Sequence, residues 1–230
     1  MKIEVLFPEI CNLYGDLFNV ELIKQSYPET EIINTSLKSE PLFLSEKPDM
    51  LYMGSMTERG QELVLDKLLP YKDRIVELID DNALMLLTGN AIELFGEYIE
   101  TETHGQIKCL GILSAHAVRQ MMNRYNSPYL GKFEDIDIVG FKSQFSHLYG
   151  DNSDCYLLNT VKGAGINPNV STEGFRINNL FCTYLVGPVL LLNPVFAKYI
   201  LKQMGINDPV LKYEQESYDS YHTRLSEFKE

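Results

Sequence analysis

Strand-like and helix-like segments alternate through the first hundred residues, and this alternation constrains the fold more than any other feature of the sequence. Short apolar runs at 3–7, 31–33 and 50–53 predict strands, and helical spacing of apolar residues follows the first of them at 17–24. The run 83–87 is apolar at every position, as expected of a parallel strand covered on both faces. The pattern predicts an α/β fold with a mixed, mostly parallel sheet between two layers of helices.

The spacing of apolar residues in the rest of the sequence predicts further helices and strands of the same fold. Helical spacing predicts a long helix over 59–79, divided by Pro70, and further helices over 91–95, 194–204 and from about 209 to the end. Strands are predicted at 107–113, 136–141, 156–161 and 180–185. Because no repeat, low-complexity tract or linker interrupts the pattern, we expect residues 1–230 to form a single domain.

The composition excludes several classes of protein. Of the 230 residues, 45% are apolar and 23% are charged, which is typical of a globular protein and not of a disordered, fibrous or coiled-coil chain. The chain has 20 Lys and Arg against 32 Asp and Glu, a formal net charge of −12, and no basic stripe. The sequence therefore argues against binding to nucleic acid or to an anionic membrane surface.

The cysteines and the apolar stretches predict the compartment. Four cysteines lie far apart, at positions 11, 109, 155 and 182, without zinc-ligand spacing. The start lacks the apolar run of a secretory signal, and the longest apolar stretch, 185–192, is too short to span a bilayer. We expect a soluble cytoplasmic protein with reduced thiols, no metal and no cofactor.

The end of the apolar run 83–87 is the most informative local feature. It continues as Thr88-Gly89-Asn90-Ala91, a turn from a central strand into a helix. Such turns present nucleophiles and offer backbone N–H groups to an oxyanion, yet Gly89 at the apex has no side chain. The plain alternative is a connection that needs a positive φ at Gly89. No phosphate-binding loop, dinucleotide fingerprint or Gly-x-Ser-x-Gly elbow occurs.

The remaining candidate side chains have mainly structural interpretations. The four histidines (His104, His116, His147 and His222) share no metal spacing and are expected to be surface or structural residues. Cys182 and Cys109 lie in predicted strands, where buried thiols are usually inert. Near the C-terminus, one helix face is predicted to carry Tyr213, Tyr218, Tyr221 and Leu225, either for packing on the domain or for a partner.

Several segments, in order and over nearly the whole chain, resemble one group of glutamine amidotransferases. The segments are Asn12-Leu13-Tyr14-Gly15-Asp16 with Asn19, Gly111-Ile112-Leu113, Asn123-Arg124, Val139-Gly140-Phe141, and Thr183-Tyr184-Leu185-Val186-Gly187-Pro188 with Asn193-Pro194. The group is the cobyric acid synthase type, which includes the glutaminase subunit of lipid II isoglutaminyl synthase. The resemblance implies the flavodoxin-like three-layer fold of class I glutamine amidotransferases.

The resemblance also implies a chemistry. In that family a cysteine on the strand-to-helix elbow attacks the side-chain amide of glutamine and forms a glutamyl thioester. A histidine acts as base and then as acid, and backbone N–H groups hold the oxyanion. The released ammonia is used by a synthetase partner.

The sequence departs from the family pattern at the reactive positions. Gly89 occupies the nucleophile position and Val186 occupies the histidine position. The family's Glu-Asn-His-Gly segment is replaced by Lys142-Ser143-Gln144-Phe145, and the glycine-rich turn after the third strand continues as Gly54-Ser55-Met56-Thr57. Glycine cannot form a thioester and valine cannot transfer a proton, so we predict that the chain does not hydrolyse glutamine.

Three hypotheses for function follow. The leading one is a structural or regulatory subunit of an ATP-dependent ligase, with a Mur ligase-like or synthetase partner, in a family linked to cell wall or cobalamin biosynthesis. The second is a module that binds a small molecule such as an amino acid, with Arg124 holding a carboxylate. Its pocket would include Gly54, Ser55, Gly89, Asn90, Arg124 and Gln144. The third is an enzyme with altered chemistry that uses Glu93, Asn90 or a remote cysteine, unless Glu93 only caps the helix or faces solvent.

Overall fold

A six-stranded sheet forms the centre of the computed structural model, which describes residues 1–228. Its spatial order is β13-β14-β4-β3-β1-β2. The strands are β1 (Lys2–Leu6), β2 (Glu31–Thr35), β3 (Met50–Met53), β4 (Met85–Thr88), β13 (Phe175–Ile177) and β14 (Leu180–Thr183). Every pairing is parallel except that of β13 with β14, so the predicted mixed, mostly parallel sheet is confirmed.

Helices cover both faces of this sheet, which explains the uniformly apolar run 83–87 that leads into and forms most of β4. Leu87 and Met85 pack in the apolar cluster under α2 (Glu58–Leu68) and α3 (Lys72–Asp80), while Leu84 and Leu86 pack in the opposite cluster. The opposite layer consists of α1 (Phe18–Ser26), α4 (Val189–Leu192), α5 (Pro194–Gln203) and α6 (Glu214–Glu227). The helix break predicted at Pro70 is confirmed by a 3₁₀ turn between α2 and α3.

Two smaller sheets are inserted between β4 and β13. One has the order β10-β7-β5-β6, from β5 (Tyr98–Thr101), β6 (Gly105–Lys108), β7 (Ala115–Arg119) and β10 (Ser146–Gly150). The other has the order β12-β11-β8-β9, from β8 (Tyr125–Phe133), β9 (Ile136–Gln144), β11 (Leu158–Lys162) and β12 (Thr172–Glu173). The first sheet contributes Ile99 and Leu148 to the α2–α3 cluster, whereas the second contributes Phe133 and Ile138 to the opposite one.

Several sequence predictions are wrong in this inserted region. The strand predicted at 107–113 ends at Lys108, because residues 110–113 bond instead to backbone carbonyls of the turn at 94–96. Cys109 therefore lies in no strand. The strands β5, β7, β8 and β10 escaped prediction because they are short or polar on one face, and β8 contains Pro128.

The terminal helix also differs in part from its prediction. It begins at Glu214 and not near 209. Tyr221 lies on the predicted inward face and donates a hydrogen bond to the carbonyl of Asp137 (2.7 Å). Tyr213 precedes the helix in a left-handed conformation with its side chain in solvent, so it does not belong to that face. None of the helices among residues 1–228 has the length and apolarity needed to cross a membrane.

A buried ion pair lies within the second inserted sheet, and its carboxylate is hydrogen-bonded to the end of β14 in the central sheet. The Lys142 ammonium on β9 lies 3.4 Å from the Glu173 carboxylate, and both side chains are fully buried. Lys142 also donates to the carbonyl of Gly165 (2.7 Å), while Glu173 accepts from the Thr183 hydroxyl (2.9 Å) and from the Tyr184 N–H (2.8 Å). Burial lowers the pKa of Lys142, although the Glu173 carboxylate opposes that shift.

We expect Lys142→Met to lower the free energy of unfolding by about 3–5 kcal/mol, because it leaves the Glu173 charge buried without its cation. The double variant Lys142→Met/Glu173→Gln is expected to recover part of that loss, since no charge then remains. Lys132→Met is the matched control, because Lys132 forms an exposed pair with Asp137 and should matter little. Urea unfolding measures all three, and equal effects for Lys142→Met and Lys132→Met would contradict the prediction.

Candidate functional site

The turn after β4 has the backbone geometry of a nucleophile elbow. Gly89 follows Thr88 with φ of +60°, a left-handed conformation, and a short 3₁₀ helix runs from Gly89 to Phe95. The positive φ expected of a strand-to-helix connection is therefore confirmed. The elbow lies at the carboxyl end of a central parallel strand, the edge at which open α/β sheets place their sites.

The space in front of Gly89 is filled by its neighbours. A Cβ atom added to Gly89 would lie 2.5 Å from Cβ of Ser55 and 3.0 Å from Cγ1 of Val186. The fold thus brings positions 89 and 186 together, as the resemblance implies for a nucleophile and its base. Here the two positions present a hydrogen atom and a methyl group, and Ser55 closes the remaining gap.

The Asp16 carboxylate connects four segments around this elbow. It accepts hydrogen bonds from the Ser55 N–H (3.0 Å), the Ser55 hydroxyl (2.8 Å), the Thr88 hydroxyl (2.9 Å) and the Gly187 N–H (3.0 Å). The side chain is fully buried, and burial raises the pKa of Asp16 against the opposing effect of these donors. Gly54 allows the chain after β3 to lie close to the segment that carries Asp16, because a Cβ at position 54 would lie only 2.7 Å from the carbonyl oxygen of Cys11.

A cavity of about 300 Å³ opens in front of the elbow; we call it the mouth cavity. Of the residues predicted for the pocket, Ser55, Asn90, Arg124 and Gln144 line it, whereas Gly54 and Gly89 lie behind the lining. Val186 forms part of its wall. The full lining is Leu13, Tyr14, Ser55, Met56, Thr57, Glu58, Asn90, Arg124, Ser143, Gln144, Phe145 and Val186.

Arg124 is fixed at the opening of the mouth cavity by three neighbours. Its Nε donates to the Ser143 hydroxyl (3.0 Å), and its Nη2 donates to the Tyr14 hydroxyl (2.5 Å). Its guanidinium lies 5.2 Å from the centre of the Phe145 ring. Sequence reasoning selected Arg124 but missed Tyr14 and Phe145 as its supports, although both lie in segments that were compared with the family pattern.

Asn90 and Glu93 contribute to structure around the site. The Asn90 side chain is engaged at both ends by the backbone of Met56, accepting from its N–H (3.0 Å) and donating to its carbonyl (2.8 Å). The plain alternative to a catalytic Glu93, that it caps the helix or faces solvent, is wrong because the side chain is fully buried. It accepts hydrogen bonds from the side chains of Gln61 (2.9 Å), Tyr184 (3.1 Å) and Ser146.

Neither a thiol nor an imidazole lines the mouth cavity among the described residues. Cys11, Cys109 and Cys182 are buried, and burial raises the pKa of each thiol, to about 12 for Cys109. Cys182 lies in β14, as predicted. Residues 1–228 also hold no group of three His, Cys, Asp or Glu side chains arranged to bind a metal ion.

The sequence is similar to two curated bacterial proteins, although it matches no family model. It is 24% identical over 201 residues to the GatD subunit of lipid II isoglutaminyl synthase (glutamine-hydrolyzing) from Streptococcus pneumoniae, covering 84% of this chain and 76% of that protein. It is 26% identical over 195 residues to the GatD subunit of the same synthase from Staphylococcus aureus, covering 84% and 79%.

Solved structures share the fold at low sequence identity. A glutamine amidotransferase crystal structure superposes with a TM-score of 0.57 at 14% identity, over 89% of this chain and 99% of that one. PurLQS from Thermotoga maritima gives 0.56 at 11% identity, over 88% and 96%. A glutamine amidotransferase from Thermotoga maritima gives 0.53 at 12% identity, over 100% and 92%. These similarities establish a class I glutamine amidotransferase fold.

We expect Gly89→Ala to lower the free energy of unfolding by about 2–4 kcal/mol, because it adds left-handed strain to a clash with Ser55. Ser55→Gly removes the clashing Cβ together with the hydroxyl that donates to Asp16, so the relief is expected as coupling: Gly89→Ala should cost about 1 kcal/mol or more less in the Ser55→Gly background than in the natural chain. Gly205→Ala is the matched control, with φ of +87° and open space around the added atom. Denaturant unfolding of the natural chain, the two single variants at positions 55 and 89 and their double variant gives the coupling, and a loss in Gly89→Ala no larger than in Gly205→Ala would refute the filled elbow.

The buried Glu93 carboxyl predicts a pH-dependent contribution to stability. Burial is the largest cause of its raised pKa, so folding favours the protonated form. The stabilisation is complete below the unfolded-state pKa of about 4.3 and is lost as pH rises through the folded-state pKa. The stability advantage of the natural chain over Glu93→Gln should therefore shrink from pH 4 upwards in urea unfolding. Glu97→Gln, at an exposed site, controls for the lost charge; an advantage that grows with pH would contradict the expectation.

Proposed function

We propose that this chain, a class I glutamine amidotransferase-like protein related to the glutaminase subunit of lipid II isoglutaminyl synthase, acts as a non-hydrolysing subunit of an ATP-dependent ligase. The observation that carries the proposal is the pairing of Gly89 with Val186 at the elbow, with Ser55 filling the space between them. We further propose that residues 1–230 work as one domain in the cytoplasm.

Loss of glutaminase chemistry follows from the atoms at the elbow. Thioester formation needs a thiolate at the apex, and Gly89 supplies no side chain. Proton transfer to the leaving ammonia needs a titratable group beside it, and Val186 has none. No imidazole lies in the mouth cavity to accept a proton from the Ser55 hydroxyl, which donates to the buried Asp16 carboxylate.

A ligase partner is supported by the relatives. Both curated relatives are named as subunits of lipid II isoglutaminyl synthase, and the similarity to them extends over 84% of this chain. The motif residues here hold the fold together around Asp16 although the reactive residues are absent. A glutamine amidotransferase fold without the reactive side chains fits a subunit that contributes to the assembly of a complex. Its partner would be a Mur ligase-like protein or a synthetase.

An enzyme with altered chemistry at Glu93 has less support. The Glu93 side chain is fully buried, and it is not among the residues that line the mouth cavity. Its hydrogen bonds to Gln61, Ser146 and Tyr184 fit a structural role between α2 and the inserted sheet.

Native purification tests the assembly. The protein is isolated from its own cells under mild conditions, and co-purifying proteins are identified by mass spectrometry. We expect an ATP-dependent ligase in stoichiometric amount. A protein that purifies alone at physiological concentration would overturn the subunit role.

The nitrogen source of the purified complex tests the lost chemistry. Ammonium should support its ligase reaction, whereas glutamine should not, because the elbow lacks a nucleophile. The chain alone should release no ammonia from glutamine at ordinary enzyme rates of about 1–10³ s⁻¹. Glutamine-supported turnover that matches ammonium-supported turnover would refute the proposal.

A further inference from the structure

We propose that two copies of this chain associate edge to edge through β2, so that their central sheets join into one continuous sheet across a two-fold axis. The strand β2 is the last in the order of the central sheet and is paired on one side only, with β1. It contains neither proline nor a basic residue, which are common devices that keep an edge strand from pairing. The opposite edge, β13, is covered, since the Arg176 N–H donates to the carbonyl of Cys155 (2.6 Å). The inference is independent of the proposed function, because no residue of β2 lines the mouth cavity.

The backbone of β2 leaves two residues free on its outer side. The Glu31 N–H donates to the carbonyl of Met1 (2.8 Å), so the odd-numbered residues of the strand face β1. Backbone groups alternate in direction along a strand, so Ile32 and Asn34 point their N–H and C=O groups away from β1. No hydrogen bond to any residue from 1 to 228 engages these four outward groups. They form a template for a further strand.

A two-fold axis at Ile33 satisfies all four outward groups at once. The paired strands then run antiparallel, and Ile32 lies opposite Asn34 of the second copy. Each of the two opposed pairs exchanges two hydrogen bonds, so every outward donor meets an outward acceptor. The edge of β2 is therefore complementary to itself, which favours a second copy of this chain over an unrelated strand.

The two neighbouring two-fold registers do not satisfy the same groups. Pairing Asn34 with itself would set Ile32 opposite Ser36, whose N–H already donates within its own turn (2.8 Å). Pairing Ile32 with itself would set Asn34 opposite Thr30, whose N–H donates to the carbonyl of Tyr27 (2.9 Å). Either register leaves outward groups without a partner, so the axis is assigned to Ile33.

The side chains of β2 support the same register. Ile33 is half-buried, and it packs in neither of the two apolar clusters of the fold. It lines a groove of about 350 Å³ that also includes Leu42 and Leu44. The axis brings Ile33 of both copies together, since opposed residues without hydrogen bonds have Cα atoms about 4.5 Å apart. Glu31 lies opposite Thr35 of the second copy, so no like charges face each other within the strand pair.

Sedimentation velocity on the full chain tests the proposal. At about 50 µM, where a Kd near 1 µM fills the dimer, we expect a mass of about 53 kDa, twice the 26.3 kDa of one chain. Ile33→Lys should weaken the dimer at least ten-fold, because two ammonium groups then meet at the axis. Val161→Lys is the matched control, since Val161 is exposed on β11 of another sheet. Circular dichroism checks that both variants are folded.

A cross-link tests the register. In Ile33→Cys the two thiols should lie within reach of a disulfide, which forms when copper(II) phenanthroline accepts two electrons and the two protons pass to solvent. Non-reducing electrophoresis should show a band of twice the chain mass for this variant. The natural chain, with its four cysteines, and Asn34→Cys, whose thiols lie two residues out of register, should give little of it.

Each contrary outcome has a defined meaning. A single-chain mass at about 50 µM, a dimer unchanged in Ile33→Lys, or cross-linking of Asn34→Cys as fast as that of Ile33→Cys would overturn the inference. A monomer that binds a co-purified ligase and loses it in Ile33→Lys would also overturn it, because the ligase would then occupy the edge. Ammonia release from glutamine is measured separately, and it bears on the proposed function alone.

Discussion

The site depends on the hydrogen bonds that the buried Asp16 carboxylate accepts. Its four donors come from the turn after β3, the last residue of β4 and the segment after β14, so one buried group fixes the relative positions of Ser55, Thr88 and Gly187. A buried carboxylate is stable only when its oxygens are hydrogen-bonded, so the surrounding donors and the carboxylate require one another. Asn19 extends the arrangement, donating to the Asp16 carbonyl and to the Tyr52 hydroxyl and accepting from the Leu190 N–H.

The fold was predictable because its central strands satisfy simple rules. An entirely apolar run such as 83–87 belongs to a strand buried on both faces, and the clusters on the two sides of β4 show why every position must be apolar. The inserted sheets follow no such rule. The strand β8 has one polar face and contains Pro128, and it is held by a hairpin with β9 and by an irregular pairing with β11, which lies further along the chain. Pairing of this kind is a tertiary property that local propensity does not encode.

The candidate site was partly predictable for the same reason. Motif resemblance located Gly89, Val186 and Arg124, and the first two follow strands that the sequence shows. It did not show that Ser55 fills the space beside Gly89, because the 2.5 Å between an added Cβ at position 89 and Cβ of Ser55 depends on how three turns converge. The burial of Glu93 was missed for a similar reason: a carboxylate one turn into a helix usually faces water, and the partners that let it be buried, Gln61, Ser146 and Tyr184, come from other elements.

Filling the elbow and keeping the cavity have different physical consequences. A reactive elbow needs a left-handed residue with a side chain, which is strained, and free space in front of it. With Gly89 the strain disappears, and Ser55 and Val186 occupy the space that a nucleophile would need. The Arg124 guanidinium lies apart from this filled space, in the lining of the mouth cavity, where the Ser143 and Tyr14 hydroxyls accept its hydrogen bonds.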